Sequence, residues 1–308
     1  LSIRRQRQMC IRDRAPIVQL DARRYLITDA AFGNARPQWE RVLERVQSFG
    51  LLEQLQRGAI VVTQGFIGAT PDGVTTTLGR GGSDFSAALF AAALGAEELV
   101  LWKDIPGVFT ADPAVVHEAR LVPEISAPEM RELAVAGAKV LHPEAIEPAC
   151  ARGISVVLRG VAGAGAAGTR ILPCRNAAAT PLALAWRQPC WMYRCNGLYS
   201  EGFTTPREAL LSVHSRAGAF LVTDTPLEGT PCFEPQKGVY ATVTAVGSAP
   251  ERWTVPMLQE LMRQGIPVAG CVVHSPWALR LVIPQEMWRE AVFSLHRVVV
   301  QYAPEDAH

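Results

Sequence analysis

A short glycine-rich run at residues 75–84 has the composition of an anion-binding loop. It reads Thr-Thr-Thr-Leu-Gly-Arg-Gly-Gly-Ser-Asp. Its three glycines let the backbone approach a ligand closely, and Arg80 offers a planar fork of donors suited to a carboxylate or a phosphate. The helical segment predicted at 85–94 would point its free N–H groups and positive dipole end at the same ligand. The run therefore predicts an anion site, with a plain glycine turn as the alternative.

The pattern around this run predicts an alternation of helices and strands. Runs of β-branched and other apolar residues predict buried strands at 58–63, 99–102 and 154–158. Apolar residues at helical spacing predict helices at 39–55, 85–94, 128–136 and 142–151. Such an alternation favours an α/β fold with a parallel sheet covered on both faces. Beyond the glycine- and alanine-rich stretch at 159–168, short strands with a few helices predict an α+β half.

Composition limits the class of partner. The chain has 308 residues, 49% hydrophobic and 19% charged, which is typical of a globular protein long enough for two domains. The balance of 30 basic against 29 acidic residues gives no field to gather nucleic acid or an anionic membrane, so we expect a small-molecule substrate. Seven cysteines without the paired spacing of a zinc or redox site favour a cytoplasmic protein. No apolar run is long enough to predict a membrane span.

Four sequence blocks carry a family resemblance. They are Thr-Gln-Gly-Phe-Ile-Gly at 63–68, the run at 75–84, Trp-Lys-Asp-Ile-Pro-Gly-Val-Phe-Thr-Ala-Asp-Pro at 102–113, and Gly-Ala-Lys-Val-Leu-His-Pro at 137–143. In this order and at this spacing they resemble the aspartate kinases of the amino-acid kinase family. The resemblance implies an α/β amino-acid kinase three-layer sandwich with a mainly parallel sheet, incomplete in this chain. It also implies tandem α+β ACT-like (ferredoxin-like) domains after it.

The activity implied by the resemblance is ATP-dependent phosphorylation of L-aspartate to 4-phospho-L-aspartate, the first step towards lysine, threonine and methionine. Phosphoryl transfer needs charge neutralisation and alignment rather than covalent work by side chains. The resemblance makes Asp84 the catalytic residue that organises cationic groups around the phosphoryl group, and an ordinary helix-cap role is compatible with this. The residues that would bind the substrate are Arg80, Gly81, Gly82 and Ser83.

A second set of residues is implied as the ATP site. It consists of Lys103, Asp104, Phe109, Lys139 and Val140. Many relatives carry threonine at the position of Lys103 and tyrosine at that of Phe109, so the role of the Lys103 side chain stays open. The expected metal is Mg²⁺ bridging the ATP phosphates, without a dedicated protein metal site. His142 is expected to be structural, at the start of a helix.

The C-terminal half resembles a regulatory region. Residues 196–203 resemble a loop that binds an amino-acid effector in relatives, and Ser200 and Phe203 would be its contacts. Phe220 stands where lysine-sensitive relatives carry aspartate, so a functional and an altered effector site both fit. Because ACT domains usually pair edge to edge, we expect a homodimer.

The expected organisation has four parts. Residues 1–14 are expected to be non-native, 15–160 the C-terminal part of the kinase domain, 161–181 a linker, and 182–308 the tandem ACT-like domains. The family's N-terminal Lys-Phe-Gly-Gly-Thr-Ser segment does not occur, and we expect this polypeptide to be inactive alone. The alternatives are an ACT-domain regulatory subunit with a kinase remnant and part of a bifunctional aspartate kinase fusion. The residue sequence at 75–84 argues against a glutamate or uridylate kinase.

Overall fold

The chain divides into two compact units. The computed structural model describes residues 16–142, 144–162, 168–175, 180–195, 209–215, 218–227 and 234–302. The first unit comprises Leu1–Asp104, Leu141–Ala164 and Arg170–Pro173, and the second comprises Ile105–Val140, Gly165–Thr169 and Cys174–His308. Within the described ranges, no helix has both the length and the apolar character needed to cross a membrane.

The described residues form seven α-helices and fifteen strands. The helices α1 to α7 are Trp39–Ser48, Leu51–Gln56, Gly82–Leu94, Ala127–Val135, Glu147–Cys150, Pro250–Arg263 and Trp288–Tyr302. The strands β1 to β15 are Ile17–Gln19, Ile60–Val62, Ile67–Ala69, Thr75–Thr77, Glu98–Lys103, Glu124–Ser126, Ser155–Gly160, Thr169–Leu172, Pro181–Cys195, Ala209–Ser215, Gly218–Thr223, Glu234–Pro235, Tyr240–Gly247, Gly270–Ser275 and Ala278–Pro284. Single turns of 3₁₀ helix lie at Ala22–Arg24 and Gln285–Met287.

The first unit contains the parallel strands that the alternating pattern predicts. Strand β5 runs parallel to β7, and Leu101 pairs with Leu158 at the centre of the register. Strand β1 likewise runs parallel to β2. Helix α3 packs its Leu89 into an apolar cluster with Val42 and Val46 of α1. The α/β character of this part of the chain is therefore confirmed.

The single helix predicted at 39–55 is wrong, because the chain forms α1 and α2 with a break between them. Gly50 lies in the break with φ of 62° and ψ of 24°, a left-handed conformation that glycine adopts without a steric penalty. The apolar face continues across the break, since Val42, Val46 and Leu51 are all buried. Hydrophobic spacing thus predicted the buried face but not the interruption.

The helix predicted to begin at His142 is also wrong. His142 lies in a turn, where its carbonyl accepts the Ala145 N–H at 3.0 Å, and α5 begins only at Glu147. A helix from 142 would place Pro148 in its interior, where proline cannot donate to the preceding turn. Starting at Glu147 puts Pro148 in the first turn, where no donor is needed. His142 is therefore not a helix cap.

Part of the range expected to be a linker, 161–181, is a strand. Thr169 in β8 is fully buried. Its hydroxyl donates to the Val122 carbonyl at 2.7 Å and accepts the Val108 N–H at 2.8 Å. The glycine- and alanine-rich composition of the neighbouring residues concealed this short buried segment.

The second unit is built on an antiparallel sheet, as the α+β pattern predicts. The strand order is β10-β11-β9-β13-β15-β14, and β12 also pairs with β9. Strand β9 runs for 15 residues and is not one of the short strands that the pattern predicts, because its first part pairs with β13 and its last part with β11. Helices α6 and α7 bury Trp253 and Leu295 against Val243 of the sheet in one core cluster.

A buried ion pair stabilises the start of α4 in the second unit. The guanidinium of Arg175 donates to both carboxylate oxygens of Glu129, at 2.7 and 2.8 Å. The Ser126 hydroxyl and N–H donate to the same carboxylate at 2.7 and 2.8 Å. The bond from the Ser126 N–H and the reciprocal bond from the Glu129 N–H to the Ser126 hydroxyl, at 3.4 Å, form a capping box. Burial alone would raise the pKa of Glu129, but the bonds from Arg175 and Ser126 outweigh it and lower the pKa below its ordinary value.

Replacing Arg175 with methionine is expected to lower the free energy of unfolding by about 3–5 kcal/mol at pH 7, because Glu129 would remain charged and buried. In the native protein this stabilisation is present above the ordinary glutamate pKa and is lost as the pH falls through the lowered native pKa. In Arg175→Met the carboxyl can take up a proton more readily. In urea unfolding, the difference in the free energy of unfolding between the native protein and Arg175→Met should therefore become smaller from pH 7 towards about pH 4.

A matched control for this change is Arg23→Met, which removes an exposed ion pair. Arg23 lies 2.6 Å from Asp21, and the two side chains are 46% and 33% exposed. Exposed pairs contribute little because water screens them. Equal losses of stability for the two variants, or a difference that does not change with pH, would contradict the assigned role of the Glu129–Arg175 pair.

Candidate active site

The glycine-rich run forms a tight turn that leads into α3. Gly79 and Gly81 have φ of 75° and 73°, in the region that favours glycine. A Cβ on Gly81 would lie 2.7 Å from the Cβ of His142, and one on Gly82 would lie 2.7 Å from the ring of Phe66. A Cβ on Gly79 would lie 2.4 Å from a side-chain oxygen. The backbone at these three positions therefore requires glycine.

Helix α3 begins at Gly82, three residues earlier than the predicted 85. Gly81, in the left-handed conformation, is its N-cap. The Gly82 N–H donates to the Gly79 carbonyl and the Phe85 N–H to the Gly81 carbonyl, both at 3.0 Å. Ser83 and Asp84 therefore lie in the first turn rather than in a loop before it, and their N–H groups have no acceptor among the described residues. Two free donors and the positive helix end are available to an anion at this point.

A neighbouring loop supports the start of α3. Phe66 has a positive φ of 74°, and its N–H donates to the Ser86 hydroxyl at 3.1 Å. That hydroxyl donates in turn to the Ser83 carbonyl at 2.8 Å. Phe66 is 39% exposed beside Gly82. Sequence reasoning identified the Gln64–Gly65–Phe66 block as a motif but assigned Phe66 no role in the site.

An ion pair joins Asp84 to the end of β5. The Lys103 ammonium donates to Asp84 Oδ2 at 2.5 Å, and the two side chains are only 25% and 18% exposed. Lys103 is the last residue of β5, where its backbone pairs with Gly160 of β7 and its carbonyl accepts the Val161 N–H at 2.9 Å. The strand thus holds the lysine beside the free N–H groups of α3. A fixed cation and these donors could together neutralise a transferring phosphoryl group.

Arg80 and Ser83 are exposed at the same turn. Arg80 forms no hydrogen bond or ion pair with the residues that the structure describes. Its guanidinium is therefore available to a ligand carboxylate or phosphate. The structure places all five residues predicted for the substrate and catalytic site, Arg80 to Asp84, within this one turn.

The predicted nucleotide residues are divided between the two units. Lys103 and Asp104 belong to the first unit, and Asp104 is exposed just beyond β5. The others belong to the second unit. There Phe109 is half-buried and forms an isolated β-bridge with Leu121. Lys139 is exposed and follows Gly137, whose φ is 113°, while Val140 is half-buried.

The remaining predictions on ligands concern the effector and the metal. Ser200 and Phe203 lie outside the described residues. In the part of the chain that the structure describes, no three His, Cys, Asp or Glu side chains are placed to hold a metal ion. Among the predicted nucleotide residues, Asp104 carries an exposed carboxylate that could contact a nucleotide-bound Mg²⁺.

Comparison with known proteins gives consistent matches. The model of the amino acid kinase family matches residues 6–160. Lysine-sensitive aspartokinase 3 of Escherichia coli is 40% identical over 200 residues, which cover 63% of this chain and 44% of that protein. The chain thus spans less than half the length of this curated relative.

Solved structures give similar matches. The crystal structure of E. coli aspartokinase III in complex with aspartate and ADP has a TM-score of 0.73 at 29% identity, and the match covers 94% of this chain and 71% of that one. The structure of the same enzyme with lysine and aspartate has a TM-score of 0.74 at 28% identity, covering 93% and 70%.

Proposed function

The chain belongs to the amino acid kinase family, and we propose that it serves the ATP-dependent phosphorylation of L-aspartate to 4-phospho-L-aspartate. The observation that carries the proposal is the turn at 79–84, where free helix N–H groups, an exposed arginine and the Lys103–Asp84 pair meet. The likeness of the chain to an aspartokinase bound to aspartate and ADP supports this choice among the reactions of the family.

In this proposal the turn holds the aspartate. The Arg80 guanidinium binds a substrate carboxylate, while Gly81 and Gly82 let the substrate approach the backbone and Ser83 adds a polar contact. The β-carboxylate then lies near the N-terminus of α3, where its negative charge is stabilised. Asp84 acts by positioning Lys103 rather than by forming a bond to phosphorus.

ATP is the proposed phosphoryl donor, and Mg²⁺ bound with it would offset the negative charge of its phosphates. Lys103 and Lys139 supply positive charge to the polyphosphate, and Asp104 would help to hold the metal ion. Phe109 and Val140 provide the surface for the adenosine. The partly buried side chains at these two positions fit that role.

The part of the second unit within 182–308 is proposed to be regulatory. Its order β13-α6-β14-β15-α7, with β9 beside β13, supports an ACT-like domain within 182–308. The lysine complex of E. coli aspartokinase III supports an amino-acid effector, with Ser200 and Phe203 as its contacts. We also propose that the protein is a cytoplasmic homodimer. In this proposal, residues 161–181 connect the kinase and regulatory parts, and residues 1–14 are a non-native segment. An ACT-domain regulatory subunit with a kinase remnant, or part of a bifunctional fusion, is the alternative.

Ligand titration tests the function. We expect calorimetry to detect binding of MgADP and of L-aspartate, with L-glutamate and UMP binding far more weakly. Arg80→Ala should weaken aspartate binding about tenfold or more, since a charge-assisted pair is lost, and Lys139→Ala should weaken MgADP binding. Lys237→Ala, at an exposed lysine outside both sites, is the control. Stronger binding of UMP or glutamate than of aspartate would overturn the assignment.

A further inference from the structure

A buried histidine of the C-terminal helix contacts the segment that carries Phe109. His296 lies on α7 and is 2% exposed. Its Nε2 lies 2.8 Å from the hydroxyl oxygen of Thr110, which is 7% exposed and 186 positions earlier in the chain. Burial lowers the pKa of His296, so the ring is neutral near pH 7 and pairs with the hydroxyl without an uncompensated charge.

The N–H, carbonyl and hydroxyl of Thr110 all form hydrogen bonds that hold the segment carrying Phe109 in place. Its N–H donates to the Arg120 carbonyl at 2.9 Å, and its carbonyl accepts the Leu184 N–H of β9 at 2.8 Å. Its hydroxyl accepts the Arg120 N–H at 3.0 Å. That bond leaves the hydroxyl hydrogen free to donate to the ring of His296. Thr110 thus joins three parts of the second unit: its own loop, β9 and α7.

The residues on either side of Thr110 face different surroundings. Ala111 is buried in the core cluster that contains Leu295 of α7. Phe109, by contrast, is half-buried and held by its bridge to Leu121. Because Phe109 directly precedes Thr110, the hydrogen bonds that fix Thr110 also fix the backbone from which the Phe109 ring projects.

We infer that His296 is a positioning residue for nucleotide binding, which acts through the hydroxyl of Thr110 on the segment that carries Phe109. The inference rests on the proposed function, because that function makes Phe109 an adenosine contact. Neither the histidine nor the threonine needs to touch the nucleotide. Losing their contact frees the segment to move, and the binding-competent position of Phe109 becomes less populated.

The test is MgADP affinity in two pairs of variants. His296→Leu and Thr110→Val should each weaken MgADP binding about tenfold, the scale of one lost buried hydrogen bond. His296→Gln and Thr110→Ser keep a polar group at the same place and should bind within about twofold of the native protein. The double variant His296→Leu/Thr110→Val should bind MgADP no more weakly than the worse single variant, because both substitutions remove the same contact between His296 and Thr110.

Controls separate positioning from general stability. Ser294→Ala changes another buried polar residue of α7, whose hydroxyl lies near Arg297 of the same helix, and should leave MgADP affinity unchanged. Lower melting temperatures with unchanged affinity in His296→Leu and Thr110→Val, or additive losses in the double variant, would overturn the inference. Absence of MgADP binding by the native chain would overturn the proposed function as well, whereas native binding that no variant weakens overturns this inference alone.

Discussion

Replacing Gly81 with alanine is expected to lower the free energy of unfolding of the first unit by about 2–5 kcal/mol and to abolish ligand binding at the turn. A left-handed backbone costs about 1–2 kcal/mol for a residue with a Cβ, and Gly81 has φ of 73°. The new Cβ would also lie 2.7 Å from the Cβ of His142. Forcing such a contact in a packed structure costs about 1–3 kcal/mol more.

Gly95→Ala is the matched control, because Gly95 ends the same helix in the same backbone region. Its φ is 62°, and no atom lies within 4 Å of a Cβ placed there. This variant should lose only the conformational part, about 1–2 kcal/mol, and should keep ligand affinity. Urea unfolding and L-aspartate titration measure both effects. If Gly81→Ala and Gly95→Ala lost equal stability and bound aspartate equally well, the close fit of Gly81 against His142 would be refuted.

The sequence predicts an anion site at the turn, whereas the structure shows a turn geometry that the sequence did not predict. The residue types at 80–84 indicate an anion site because glycine lets the backbone approach a ligand and arginine offers donors to a carboxylate or a phosphate. The helix start at Gly82 was missed because glycine is a poor helix former, and the close approach of Gly81 to His142 cannot be read from the local sequence. Packing of this kind depends on residues far along the chain.

Long-range contacts explain the other differences. Lys103 and Asp84 each belong to a recognisable block, but their pairing depends on β5 ending beside the first turn of α3, and the two residues are 19 positions apart. The contact between Thr110 and His296 joins the second unit's first segment to its last helix. Local patterns report which face of an element is buried but not which distant polar group meets it.

The second large effect concerns the charge balance of the Lys103–Asp84 pair. We expect Lys103→Met to weaken binding of a non-hydrolysable MgATP analogue about tenfold or more, since a hydrogen bond to a charged group contributes about 1.5–3 kcal/mol. The loss has two sources. The phosphates lose a cation, and the largely buried carboxylate of Asp84 is left to repel them. MgADP lacks the terminal phosphate and should be affected less.

Removing both charges should restore part of this affinity. In Asp84→Asn/Lys103→Met the phosphates meet no uncompensated carboxylate, so the double variant should bind the ATP analogue more tightly than Lys103→Met alone. Asp84→Asn alone frees Lys103 for the phosphates and should bind at least as tightly as the native protein. Lys237→Met, at an exposed lysine of the second unit, should change nothing. Independent, additive losses from the two site substitutions would mean that the pair does not act as a unit on the phosphoryl group.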